Sequence, residues 1–318
     1  MILTDYLRSE KDASWDIARE CGVKYGVIRL PDDGKFDFTD EKAFKSLYKK
    51  FTDFGFTPIV IEPLPNSLHD HIKAGDSRRD ECLDKLIKTF PIMRDLGINT
   101  LCFNFMAHIG WLRTSSDIED RGGAKVTGFN IDDFNEKTPK ITAAKLWENY
   151  EYFLRAVIPY AEKYDVKLAL HPDDPPVEKL GDVERIMISL KNIKRAIYDV
   201  YPSKNLGVTF CQANFYTMGE DVYKAIDELN EKIFFVHFRN VTGRKENFRE
   251  TFHDDGDLDM ARLLRHYHEK KIDVPIRVDH VPTLLGENSS VIGYDALGRL
   301  FAIGYLKGLT EAIEKERR

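Results

Sequence analysis

Four side chains of metal-ligating type, His171, Cys211, His237 and Asp279, follow one another at intervals of 40, 26 and 42 residues in a chain of 318. Imidazole, thiolate and carboxylate are the usual donors to a first-row divalent ion, and a catalytic centre leaves further positions for substrate or water. Each residue taken singly has a plainer use. A strand-end histidine is more often a hydrogen-bonded structural residue, a lone cysteine a small apolar core residue, and an aspartate the N-cap of the next helix. The spacing reverses that weighting, because each interval is about one strand-plus-helix unit.

The elements that must position them alternate from end to end. Short apolar or β-branched runs predict strands at Ile2–Leu7, Val23–Leu30, Pro58–Glu62, Asn99–Phe105, Val166–His171, Leu206–Cys211, Ile233–Arg239 and Pro275–Asp279. Between them lie helix-period stretches. Phe44, Leu47, Tyr48 and Phe51 follow a cap at Thr39 or Asp40. Leu83, Leu86, Ile87 and Phe90 lie between a capping-box-like start at Ser77 and Asp80 and a stop at Gly97. Further helices are expected over 142–163, 182–200, 221–230, 258–270 and 294–314. Eight such units with no GxGxxG after the first strand favour a closed (β/α)8 barrel over an open doubly wound sheet, as one domain spanning 1–318. Successive strand ends of a barrel converge on one mouth, so the four residues can meet there. Ala107 to Ile141, after the fourth strand, is too long for a plain connection and reads as a lid over that mouth.

Composition narrows the partners. A formal net charge of -6 argues against nucleic acid or an anionic membrane as the main partner, and no apolar run approaches a membrane span or a signal-peptide core. Cys21, Cys82, Cys102 and Cys211 form no CxxC pair, which fits a reducing cytoplasm. A small anionic substrate remains open, because a metal and a few arginines set the local field.

The segments His171-Pro172-Asp173-Asp174-Pro175-Pro176, Val236-His237-Phe238-Arg239-Asn240-Val241, Glu250-Thr251-Phe252-His253-Asp254-Asp255-Gly256 and Ile276-Arg277-Val278-Asp279-His280 resemble the mannonate dehydratase family. Asn104-Phe105-Met106 and Trp111-Leu112-Arg113-Thr114 are similar to it as well. The resemblance implies a barrel enzyme that removes water from D-mannonate to give 2-keto-3-deoxygluconate, using Mn²⁺ or, as alternatives, Fe²⁺ or another first-row ion. It places the metal ligands on His171, Cys211, His237 and Asp279, and an acid/base pair on His280 and Tyr294. The first strand, with Leu3-Thr4-Asp5-Tyr6, departs from the family's Arg-Trp-Tyr-Gly segment. Self-association into a homo-oligomer is expected.

Dehydrating an aldonic acid requires a base for the proton at C2, an acid for the hydroxyl leaving C3, and positive charge at the carboxylate. His280 adjoins Asp279, and Tyr294 follows an irregular Gly286–Gly293 loop. Which of them is base and which acid the residues leave open. Arg239 and Arg277 alternate with the ligands, so they either clamp the anionic substrate or pair with a barrel carboxylate such as Glu62. His253 is a candidate substrate contact or a stabiliser of its own Asp-rich turn; His69, His71 and His108 are weaker candidates for the mouth. Competing functions are a metal-dependent sugar isomerase or epimerase on the same barrel, and a silent paralogue that only binds a sugar acid.

Overall fold

The computed structural model describes residues 1–287 and 293–316. Most of the Gly286–Gly293 loop therefore lies outside the described residues. Eight parallel strands, β1 (Ile2–Leu7), β2 (Tyr25–Ile28), β3 (Thr57–Ile61), β4 (Thr100–Phe103), β5 (Lys167–Leu170), β6 (Leu206–Cys211), β7 (Ile233–Phe238) and β8 (Pro275–Val278), hydrogen-bond in sequence, and β8 closes on β1. Every predicted strand is present, with its ends within two residues of those expected. β6 and β7 are buried along their whole length, which is why they read as unbroken apolar runs. A Cβ at Gly207 would lie 2.3 Å from the Lys232 carbonyl oxygen, so the close approach of β6 to the start of β7 needs glycine there.

Two layers of core follow. Val27, Val60, Cys102, Ala169 and Phe235 fill the barrel, and a larger shell including Trp15, Phe44, Phe51, Leu86, Phe90 and Phe153 packs the helices onto it. Helix Glu41–Phe54 starts where the Asp40 carboxylate accepts from the amides of Lys42 and Ala43, and ends at Gly55 with φ 98°. Helix Arg79–Leu96 ends at Gly97 as expected. Its start differs: Asp76, not Ser77 or Asp80, reaches a free amide, that of Arg78, at 2.8 Å.

Two expectations are corrected. The stretch 182–200 is not one helix: Lys179–Leu180 pairs with Val183–Glu184, and a helix covers only Leu190–Lys194 before a π turn at Arg195–Asp199. The Asp173 carboxylate accepts from the amides of Ile186 and Met187 at 3.1 and 3.0 Å, which diverts both from helical bonding. The segment from Ala107 to Ile141 is also more than a loop. It supplies strands Ser115–Glu119 and Lys125–Asn130 to a four-stranded antiparallel sheet completed by the hairpin Val241–Arg244 and Asn247–Glu250 after β7. No helix among the described residues is long and apolar enough to cross a membrane.

Candidate metal centre at the barrel mouth

The C-terminal ends of β5 to β8 deliver the four predicted donors to one place. Ligand atoms of His171, Cys211 and His237 all lie within 4.8 Å of one another. Asp279, just past β8, sets Oδ2 3.4 Å from Nδ1 of His237. The two imidazoles face each other, His171 Nε2 to His237 Nδ1, at 3.2 Å. His171 turns Nδ1 to the Pro172 carbonyl at 2.6 Å, and His237 turns Nε2 to a Glu62 carboxylate oxygen at 2.9 Å. The Pro172 carbonyl takes the proton of His171 Nδ1, and the Glu62 charge favours the proton of His237 on Nε2 although that contact is not aligned as a hydrogen bond, which leaves the lone pairs of the two inward nitrogens converging on one point. Two lone pairs at that distance repel unless a proton or a cation stands between them.

The field at this point favours positive charge. Burial alone would raise the Cys211 thiol, but Arg239 and hydrogen bonds from His171 and His237 outweigh it and bring the thiol down to about 6. Burial and Arg277 oppose charge on His237, yet Glu62 and Asp279 prevail and push it up to about 10. Asp279 is buried, and Arg277 and His237 hold its carboxyl well below the usual range. An imidazole pair, an acidic thiol and an ionised carboxylate fit a divalent first-row ion.

Above the donors lies a cavity of about 370 Å³. His171, His237, Asp279, His280 and Tyr294 line it, as do Arg239 and Arg277. His280 has φ 42°, in the left-handed region, and its ring stacks at 5.1 Å and 8° on Trp111 and lies 5.1 Å from the ring of Tyr294. Burial drives His280 well below the ordinary histidine range and Tyr294 well above the ordinary phenol range, so both sit there neutral. The Tyr294 hydroxyl donates to Asp279 Oδ1 at 3.2 Å.

The arginines take the internal of their two readings. Arg277 donates to Glu62 at 2.8 and 3.0 Å and to Asp279 at 2.7 Å. Arg239 is fully buried and pairs with Asp174 at 2.8 Å and Glu250 at 3.2 Å. His253 is not brought to the cavity: it is fully buried, and its Nε2 meets the Phe238 carbonyl at 2.8 Å behind β7. His69 lies among Phe103, Phe105 and Phe153, His71 pairs with Asp76, and His108 does line the cavity.

Several residues at the mouth escaped the sequence reading. Arg113 ties the Ala107–Ile141 segment to Asp174 at 2.7 Å and Glu250 at 2.6 Å, while Arg185 holds the carbonyls of Ile109 and Gly110 at 3.1 Å. Together they seat Trp111 over His280. The available signals were the position of Trp111 and Arg113 in one quoted segment and of Asp174 in another, but neither gives the pairing.

A closed parallel barrel with a thiol, two imidazoles and a carboxylate gathered at its C-terminal mouth defines a (β/α)8 enzyme with a candidate metal centre. The family described as D-mannonate dehydratase (UxuA) matches residues 7–141 and 132–318. The chain belongs to that family, and is thereby a hydro-lyase. The mannonate dehydratase of Oceanobacillus iheyensis is 32% identical, with 92% of this chain and 91% of the relative covered. That of Brachyspira hyodysenteriae is 30% identical, with 92% of each covered. The crystal structure of mannonate dehydratase from Streptococcus suis serotype 2 superposes with a TM-score of 0.90 at 26% identity, over 100% of this chain and 96% of that one. A D-tagatose 3-epimerase-like protein, at 15% identity and a TM-score of 0.67, shares the fold.

Proposed function

We propose that the chain removes water from D-mannonate, giving 2-keto-3-deoxy-D-gluconate, with Mn²⁺ held by His171, Cys211, His237 and Asp279. The observation that carries this reading is the pair of facing imidazole nitrogens at 3.2 Å beside an acidic thiol and a carboxylate. Family membership supplies the substrate. A divalent ion bound there supplies Lewis acidity to the substrate carboxylate, which makes the neighbouring C2 proton labile.

The protein's own groups do the rest. The neutral imidazole of His280 takes the C2 proton. The Tyr294 hydroxyl gives its proton to the hydroxyl leaving C3, so that water departs and the enol left behind tautomerises to the keto acid. Trp111, stacked on His280, limits the ring's freedom and shields it from water. The setting is the cytoplasm, consistent with four free cysteines. Exposed Leu285, Leu297 and Leu300 provide apolar surface for self-association.

The test is a panel of aldonic acids and neutral sugars given to the Mn²⁺-loaded protein, assayed for 2-keto-3-deoxy acids and for interconverted sugars. Mannonate is expected to yield the keto acid. Reaction of neutral sugars alone refutes the dehydratase reading, and reaction of another aldonate in place of mannonate refutes the substrate.

A further inference from the structure

Beneath the first group of donors lies a second: Glu62, Cys102 and His237 also place one ligand atom each within 4.8 Å of the others. Its surroundings exclude a second cation. The guanidinium of Arg277 already engages both Glu62 oxygens through hydrogen bonds of 2.8 and 3.0 Å, and places its positive charge beside them. Burial, then Glu62, keeps the Cys102 thiol well above its ordinary range, and its sulfur accepts from Thr209 Oγ1 at 3.1 Å. A protonated thiol beside a guanidinium is a poor site for a divalent ion.

The same residues make a brace. Glu62 lies immediately after β3, His237 on β7, and Arg277 and Asp279 at the end of β8. A Glu62 oxygen lies 2.9 Å from His237 Nε2 as an ion-pair contact that is not aligned as a hydrogen bond, and Arg277 donates to Asp279 Oδ1 at 2.7 Å. With the two-bond contact between Glu62 and Arg277, these links join the back of one donor to the back of another. We propose that Glu62 and Arg277 are positioning residues of the metal centre, which hold the proton of His237 on Nε2 and so aim its Nδ1, together with Asp279 Oδ2, at one ion. The proposal rests on the reading of His237 and Asp279 as ligands. It goes beyond that reading by assigning part of the metal affinity to two residues that touch no ion. Partners of this kind typically change metal affinity about 10–100-fold.

The full-length protein is stripped with a chelator and reloaded with Co²⁺, whose visible absorption reports ligand geometry. Three proteins are compared: wild type, Glu62→Gln, and the double variant Glu62→Gln/Arg277→Met, which removes both charges so that neither is left buried alone. Affinity is read by competition with a chelator. Both variants are expected to bind Co²⁺ about 10–100-fold more weakly, with a shifted spectrum. A folded double variant with wild-type affinity and spectrum overturns the brace. If neither variant folds, nitrogen-15 spectra of histidine-labelled, Zn²⁺-loaded wild type decide the matter. The proposal requires a proton on His237 Nε2 and the metal on Nδ1, and the opposite assignment refutes it. Failure of the wild type to bind any divalent ion refutes the proposed metal site itself, which separates the two readings.

Discussion

Replacing Arg113 by Met tests the ion-pair cluster that ties the 107–141 segment to the barrel mouth. Arg113 is nearly buried and bridges two buried carboxylates, Asp174 at 2.7 and 3.0 Å and Glu250 at 2.6 and 3.2 Å. Methionine keeps the aliphatic stem and removes the charge. Arg239 is then the one guanidinium left between Asp174 and Glu250. Breaking a buried pair by removing one partner costs about 3–5 kcal/mol. An unfolding entropy of about 2.1 cal/mol/K per residue over 318 residues converts this to a fall in Tm of about 4.5–7.5 °C. The size of the fall should depend on pH. In the wild type, Arg113 and Arg239 together overcome burial and hold the Asp174 carboxyl well below the usual range. That stabilisation is full above the unfolded carboxylate range and is lost as the pH falls from there down through the lower folded value. Glu250 is already raised by burial in spite of both arginines. Without Arg113, one of the two carboxyls takes up a proton in the folded state at a higher pH than in the unfolded chain, so the variant recovers stability as the pH falls. Thermal melts of both proteins between pH 5 and pH 8 should show the gap widest at pH 8 and narrowing toward pH 5. A gap under 1 °C, or one that widens on acidification, would refute the reasoning.

Cys211→Ala should lose the bound ion and turnover together while circular dichroism stays native; full metal content by elemental analysis would remove the thiol from the centre. His280→Asn and Tyr294→Phe should each keep the ion and slow turnover by about 10²–10⁴-fold, the range for loss of a positioned proton-transfer group. Wild-type rates in both would refute their roles, and metal loss in His280→Asn would make it a ligand.

The local pattern of the sequence was enough for the barrel and for the level of the donors. Parallel strands buried on both faces must read as apolar runs, and a barrel sends every strand end to one mouth, so His171, Cys211, His237 and Asp279 could be placed together from spacing alone. Helix ends were legible where the signal is a neighbour in the chain, as at Asp40 and Gly97. Partners distant in the chain were legible at most as alternatives. Glu62 was one of two possible partners for Arg277, and the closed barrel decides for it across 215 residues. The sequence offered no partner for Arg113, which meets Glu250 across 137 residues, or for the strand Lys125–Asn130, whose partner is the hairpin after β7. His253 was misplaced toward the mouth because a chain position after a strand does not say on which side of it the imidazole falls. Hydrogen bonds and ion pairs are short-ranged, so their partners are decided by which elements the fold makes adjacent, and that adjacency exists only once the eight strands have closed.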